Sequence, residues 1–151
     1  MSAAVRIRRA LPDDAVAILD LERLFPGDRM SRASVRRFLR MPQAAVWVAT
    51  QRAAVVGALI LLGRRDSAWA RIYSVVVDPA LRGRGLGQRL VRAAEREARR
   101  RGACGVSLEV RADNAAARAL YARLGYAQAA LLHAYYEDGA PGIRLKRHFV
   151  G

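Results

Sequence analysis

The stretch that decides the fold is Val75-Val76-Val77-Asp78-Pro79, followed after two residues by Arg82-Gly83-Arg84-Gly85-Leu86-Gly87. It predicts an apolar strand that ends at the Asp-Pro step, then a glycine-rich loop, then a helix. Glycine has no Cβ, so the backbone of this loop can approach a ligand closely. Free N–H groups at the start of a helix favour phosphate oxygens, and Arg82 and Arg84 add positive charge beside them. The stretch therefore predicts an anion-binding site where strand and helix meet.

The spacing of this loop excludes two common nucleotide-binding motifs. It lacks the Gly-x-x-x-x-Gly-Lys-Ser/Thr of a P-loop. No acidic residue follows at the distance that a dinucleotide-binding fold requires. Taken alone, the segment leaves open whether the loop binds a phosphate ligand or only connects a strand to a helix.

Length and composition predict a single domain, residues 1–151. The 53% hydrophobic content is sufficient for a packed core. Cys104 is the only cysteine, which excludes an internal disulfide and a cysteine-based metal cluster. No apolar run is long enough to span a bilayer, and residues 1–9 lack the apolar core of a signal peptide. We expect a soluble, cytoplasmic protein that has no metal and is a monomer or a weak dimer.

The net charge of +14 has two interpretations. Lys146 is the sole lysine among 27 basic residues, so arginine supplies almost all of the positive charge. This composition is compatible with a solvated, arginine-rich surface that reflects coding bias. It is equally compatible with attraction to polyanions such as nucleic acid, the ribosome, acidic peptides or a phosphorylated coenzyme. No nucleic-acid recognition motif accompanies this charge, and charge alone does not decide whether the protein binds nucleic acid directly.

Apolar periodicity predicts the element order βααβββαβαββ, an α/β domain with a central mixed sheet flanked by about four helices. Boundary residues predict a helix stop at Pro26-Gly27, a helix cap at Ser31 and a turn over residues 63–67. The helix after the glycine loop has arginine and glutamate on one face. Its other face is apolar and consists of Leu86, Leu90, Val91, Ala94 and Ala98.

A second motif, Ser107-Leu108-Glu109-Val110-Arg111-Ala112-Asp113-Asn114, continues as Ala115-Ala116-Ala117-Arg118-Ala119-Leu120-Tyr121-Ala122-Arg123-Leu124-Gly125-Tyr126. It closely resembles the matching segment of GNAT-superfamily N-acetyltransferases, and most of all the bacterial ribosomal-protein-alanine N-acetyltransferases. The glycine loop matches the superfamily pattern Arg/Gln-x-x-Gly-x-Gly/Ala. Two motifs in the right order and spacing make the resemblance specific, and it is strongest from about residue 72 to residue 136.

The resemblance implies that acetyl-CoA is the anionic ligand. In such enzymes a splayed strand pairs with the pantetheine arm, while amides of the glycine loop hold the pyrophosphate. An asparagine of the second motif also contacts the coenzyme. Carried over to this sequence, the coenzyme site consists of Val75, Val76, Val77, Arg82, Gly83, Arg84, Gly85, Leu86, Gly87, Gln88 and Asn114.

The resemblance also assigns the catalytic residues. Glu109 matches the residue that accepts the proton of the substrate ammonium group, directly or through water. Tyr121 matches the donor of a proton to the departing thiolate. The structural alternatives are an ordinary strand glutamate and an aromatic residue packed on the core.

For the acceptor, Tyr135-Tyr136-Glu137-Asp138-Gly139 resembles the loop that N-terminal acetyltransferases place over a substrate peptide. Phe25, in the segment Leu24-Phe25-Pro26-Gly27, falls where the opposite wall of that site usually forms. We expect these residues to bind a protein N-terminus or peptide, with a ribosomal protein as one candidate. Two alternatives stay open: a small amine such as an antibiotic, polyamine or amino acid, and a non-catalytic nucleic-acid or ribosome-binding module on the same fold.

Overall fold

The computed structural model describes residues 4–25, 32–63 and 66–150. The four helices are α1 (Ala15–Glu22), α2 (Arg32–Arg40), α3 (Leu86–Arg100) and α4 (Ala115–Arg123). The seven strands are β1 (Val5–Arg9), β2 (Ala44–Gln51), β3 (Ala54–Leu62), β4 (Trp69–Val77), β5 (Gly105–Arg111), β6 (Ala127–Leu132) and β7 (Gly142–His148). Two short 3-10 turns, Pro12–Asp14 and Pro79–Leu81, precede α1 and the glycine loop. The predicted order of helices and strands and the α/β class are confirmed.

The strands form one mixed sheet in the order β1-β2-β3-β4-β5-β7-β6. Every neighbouring pair is antiparallel except β4 and β5, which run parallel. A parallel pair requires a crossover connection, and α3 provides it between these two strands. The glycine loop therefore lies at the end of β4, in the middle of the sheet.

Two apolar clusters cover the two faces of the sheet. On one face α3 packs through the predicted stripe, and all five of its residues are buried. On the other face Ile18 and Leu19 of α1 and Val35 of α2 cover β2, β3 and β4. None of the described helices has the length and apolar character needed to cross a membrane.

The polar face of α3 differs from the sequence prediction, because Glu95 and Glu97 are buried. Glu95 is 3% exposed; it forms ion pairs with Arg92 at 2.6 Å and Arg147 at 2.9 Å, and accepts a hydrogen bond from the Tyr126 hydroxyl at 2.8 Å. Arginine side chains from neighbouring positions and strands enclose this carboxylate. Such pairing is what permits a charged group to be buried.

The helix stop at Pro26-Gly27, the cap at Ser31 and residues 64–65 of the predicted turn lie outside the described residues. Where the chain is described, α4 begins directly after Asn114. The Asn114 side chain accepts a hydrogen bond from the Ala117 N–H at 3.1 Å and so caps this helix.

Gly105 is the position where the parallel pair begins. It lies opposite Trp69 in the ladder, and the Trp69 ring passes directly over it. A Cβ at this position would lie 2.3 Å from the Arg147 carbonyl oxygen and 2.5 Å from the indole ring. The absence of a side chain at Gly105 therefore allows β4, β5 and β7 to come together.

We expect Gly105→Ala to lower the free energy of unfolding by about 1–3 kcal/mol, because the new methyl group collides with backbone and with an aromatic ring. Gly63→Ala is the matched control, since a Cβ there would meet its nearest atoms at 3.5 and 3.7 Å. We expect that control to stay within about 0.5 kcal/mol of the parent protein in urea unfolding. Equal stability of the two variants would contradict the close approach at Gly105.

Candidate active site

The centre of the site is the divergence of β4 from β5. The two strands pair only from Trp69 to Arg71 and from Gly105 to Ser107. Beyond this point β4 stays paired with β3 as far as Val77, and β5 stays paired with β7. The facing edges of the two strands thus separate, and the ladder between them does not use their backbone N–H and C=O groups. Such an edge can pair with an extended amide ligand.

Two adjoining cavities occupy this divergence. The first, of about 420 Å³, lies at the glycine loop and is called the loop cavity below. The second, of about 290 Å³, lies between the strands and is called the strand cavity. Five residues line both: Phe25, Val75, Asn114, Ala117 and Tyr121.

Most of the predicted coenzyme residues line the loop cavity. They are Val75, Val77, Arg82, Gly83, Gly85, Leu86, Gly87, Gln88 and Asn114. Val76 lines the strand cavity instead, and its side chain packs in the cluster under α1. Arg84 is exposed and is not among the lining residues of either cavity.

Backbone conformation explains the glycines of the loop. Gly83 and Gly85 have φ angles of 81° and 76°, in the left-handed region that other residues seldom adopt. Gly85 is the N-cap residue of α3, so the free N–H groups of the first helical turn lie beside the loop cavity. Together with Arg82, they make this end of the cavity electropositive.

Glu109 lies on β5 with a side chain that is only 7% exposed. Its Oε1 is 2.8 Å from Arg71 Nη2, and it accepts a hydrogen bond from the Tyr135 hydroxyl at 3.3 Å. Arg144 approaches the same oxygen at 3.9 Å. Oε2 is buried and has no hydrogen-bond partner among the described residues, so it is available to a substrate group.

Tyr121 reaches the site from α4 and is 5% exposed. Its ring packs edge-on against Tyr126, with centroids 5.5 Å apart. Burial raises the pKa of the Tyr121 phenol well above its ordinary value, because the charged form would lose hydration. The phenol is protonated at neutral pH, as an ordinary tyrosine is, and the raised pKa makes it a weaker proton donor.

The Tyr135-Tyr136 loop connects β6 to β7 and is held against the end of β5. Arg111 forms an ion pair with Asp138 at 2.9 Å and stacks over the Tyr136 ring at 5.2 Å. The hydrogen bonds from Arg111 also hold the pKa of Asp138 below its usual range. Tyr136 thereby lines the strand cavity, while Tyr135 contacts Glu109.

The opposite wall comes from the end of α1 and the segment that follows it. Phe25 lines both cavities, and the Arg82 guanidinium lies 5.6 Å from its ring centroid. One turn earlier, Glu22 accepts a hydrogen bond from the Ser74 hydroxyl at 2.7 Å. Burial raises the pKa of Glu22, and the hydrogen bond opposes that shift. Pro26 and Gly27, which belong to the predicted wall, lie outside the described residues.

Sequence reasoning missed three polar residues of the site: Arg71, Glu22 and Ser74. The sequence pattern could have identified Arg71 as a candidate site residue, because it alternates with apolar neighbours in the strand that leads to the glycine loop. Its pairing with Glu109 depends on the register of β4 against β5, which the sequence does not specify.

Residues 15–126 match the model of the acetyltransferase (GNAT) family. The matched region contains the glycine loop, Glu109, Asn114 and Tyr121, and it ends before the Tyr135-Tyr136 loop.

Individual proteins show the same similarity, two of them over most of the chain. N-alpha-acetyltransferase RimI of Mycobacterium tuberculosis is 37% identical over 139 residues, which cover 89% of this chain and 86% of that protein. Mycothiol acetyltransferase of Nocardia farcinica is 46% identical over 69 residues, 46% of this chain but only 23% of that protein. The crystal structure of the ribosomal-protein-S18-alanine N-acetyltransferase from Escherichia coli superposes with a TM-score of 0.86 and 26% identity, covering 98% of this chain and 97% of that one.

We expect Gly85→Ala to weaken acetyl-CoA binding about tenfold, because a non-glycine residue resists the positive φ that aims the loop amides at the cavity. Gly102→Ala is the matched control: Gly102 has a φ of 81° and open space around it, but it lies at the far end of α3. Isothermal titration should show reduced affinity for Gly85→Ala alone, although both variants lose some stability. A parallel loss of affinity in Gly102→Ala would assign the effect to general destabilisation.

Proposed function

The chain belongs to the GNAT family of acetyltransferases, and we propose that it transfers the acetyl group of acetyl-CoA to the N-terminal amine of a protein. The contact that carries the proposal joins the Tyr135 hydroxyl to Glu109 Oε1 at 3.3 Å. It connects the loop suited to a peptide acceptor with the carboxylate suited to take the amine proton. The relation to RimI supports the same acceptor class.

Two separate features of the proposed donor site match two parts of acetyl-CoA. The glycine loop offers N–H groups and Arg82 to a pyrophosphate. The diverging edge of β4 offers backbone groups to the amides of the pantetheine arm. Acetyl-CoA supplies a thioester, whose carbonyl carbon is the point of attack.

The proposed chemistry assigns one proton to each catalytic residue. An ammonium group must lose a proton before its nitrogen can attack, and Glu109 accepts that proton directly or through water. The amine nitrogen then forms the new C–N bond while the C–S bond breaks. Tyr121 donates its phenolic proton to the departing thiolate, a moderate contribution because a thiol with pKa about 8.5 is a fair leaving group.

The same proton balance favours an α-amine over a lysine side chain as the acceptor. A protein α-amine has a pKa of about 7.7–8.0, against about 10.4 for lysine, so a larger neutral fraction is present at neutral pH. One carboxylate is sufficient to remove the remaining proton. A ribosomal protein is one candidate acceptor, since the similar Escherichia coli enzyme is named for S18-alanine.

A panel of acceptors tests the proposal. The protein is incubated with acetyl-CoA and peptides with free N-termini, N-terminally blocked lysine peptides, or small amines, and release of free thiol is followed. We expect turnover with free N-termini and little with the other two classes. Turnover restricted to small amines would contradict the proposal that the acceptor is a protein N-terminus. Coenzyme binding without turnover on any acceptor would favour a non-catalytic module.

We expect Glu109→Gln to lower kcat about 100-fold, and most of all at lower pH, because the amide cannot accept the amine proton. The affinity for acetyl-CoA, measured by titration, should stay unchanged. Asp20→Asn makes the same carboxylate-to-amide exchange at an exposed position of α1, outside the cavities, and should keep kcat near that of the parent protein. Full activity of Glu109→Gln would show that another group is the base.

A further inference from the structure

A third cavity, of about 320 Å³, lies beside Glu109 on the face of the sheet that carries the Tyr135-Tyr136 loop. Three cations line it: Arg71, Arg144 and Lys146. Glu109 and Tyr135 form its border with the active site. We call it the cationic pocket.

Strand register brings these three cations together. In the ladders, Ser107 of β5 lies opposite Arg71 of β4 on one side and Lys146 of β7 on the other. Glu109, two residues further along β5, lies opposite Arg144. Residues two apart on a strand point to the same face, so all of these side chains project to one side of the sheet.

The positive charge of the cationic pocket exceeds what Glu109 can neutralise. Its three cations and one carboxylate leave a net charge of about +2. Arg71 pairs closely with Glu109, whereas Arg144 stays 3.9 Å from the same oxygen. Lys146 lies over the Trp69 ring at 4.6 Å and forms no ion pair with the residues that the structure describes.

Two buried polar atoms at the pocket also lack partners. Arg71 Nε and Glu109 Oε2 have no hydrogen bond within the described part of the chain. A buried donor or acceptor without a partner costs free energy unless a ligand or water meets it. Arg71 Nε can donate a hydrogen bond to an anion, and Glu109 Oε2 can accept one from an ammonium group. Together they complement a ligand that carries both groups.

We infer that the cationic pocket binds the carboxylate of an acidic side chain on the first or second residue of the acceptor peptide; this rests on the proposed function. β7 lies next to β5, and adjacent strands are about 5 Å apart. When the acceptor amine is at Glu109, the next few atoms of the acceptor therefore lie beside β7. The side-chain carboxylate of a first or second Asp or Glu spans that distance. Arg144 and Lys146 then supply the charge-assisted hydrogen bonds that select it.

Matched peptide pairs test this specificity. Each pair differs only by Asp against Asn, at position one or at position two, and kcat/KM is measured for both members. We expect the acidic member to be preferred roughly five- to tenfold at one of the two positions, as a partly exposed ion pair allows. The preference should fall as salt rises from about 50 to about 500 mM, because the pair is screened.

Charge variants then locate the preference. Lys146→Gln and Arg144→Gln should each bring the Asp-to-Asn ratio towards one, mainly through KM. Arg96→Gln, on the exposed outer face of α3, removes the same charge and should keep the parental ratio. A ratio that falls equally in all three variants would assign the effect to net charge and overturn the pocket.

The remaining outcomes separate this inference from the proposed function. If the parent protein acetylates both members of every pair equally well, the carboxylate pocket is wrong and N-terminal acetylation stands. If no peptide is acetylated, both are wrong. If the protein acetylates free aspartate but no acidic peptide, the pocket binds a small acceptor, and the inference that it binds a peptide side chain is wrong.

Discussion

The separation of β4 from β5 after three paired residues is the constraint on which the rest of the site depends. A parallel pair that continued to Val77 would use its own backbone groups and leave no edge for an amide ligand. Because the pair opens at Arg71, the space between the strands becomes a cavity that meets the glycine loop at one end. The same opening lets Tyr121 and Glu109 line a single cavity from different elements.

The two sides of the sheet contribute different chemistry to that opening. On the side of α3, Leu108, Val110 and Tyr121 belong to an apolar core that borders the strand cavity. On the opposite side, Glu109 lies among Arg71, Arg144 and Tyr135, so a nearly buried carboxylate is held in place by polar contacts. This arrangement suits the proposed reaction, in which a charged amine loses its proton before it attacks a thioester.

In this structure, several of the arginines that produce the high net charge have specific roles. Arginine encloses the buried carboxylates Glu95 and Glu97, holds the Tyr135-Tyr136 loop through Arg111, and lies beside the loop cavity at Arg82. Many of the basic side chains thus have specific structural partners or line a site. General attraction to polyanions, one of the two interpretations of the +14 charge, would be a separate property, whereas the proposed cationic pocket would act on one group of the acceptor.

The sequence by itself determined the element order, the apolar stripe of α3, the glycine loop between β4 and α3, and the motif that contains Glu109 and Tyr121. These features are local, because periodicity, turn chemistry and motif spacing act within a few residues of one another. Only the tertiary structure decided that Glu95 and Glu97 are buried, that Arg84 lies away from the cavities, and that Arg71, Arg144 and Lys146 converge beside Glu109. Those outcomes depend on strand register and on contacts between residues that are far apart in the chain, and a single sequence carries no periodic signal for either.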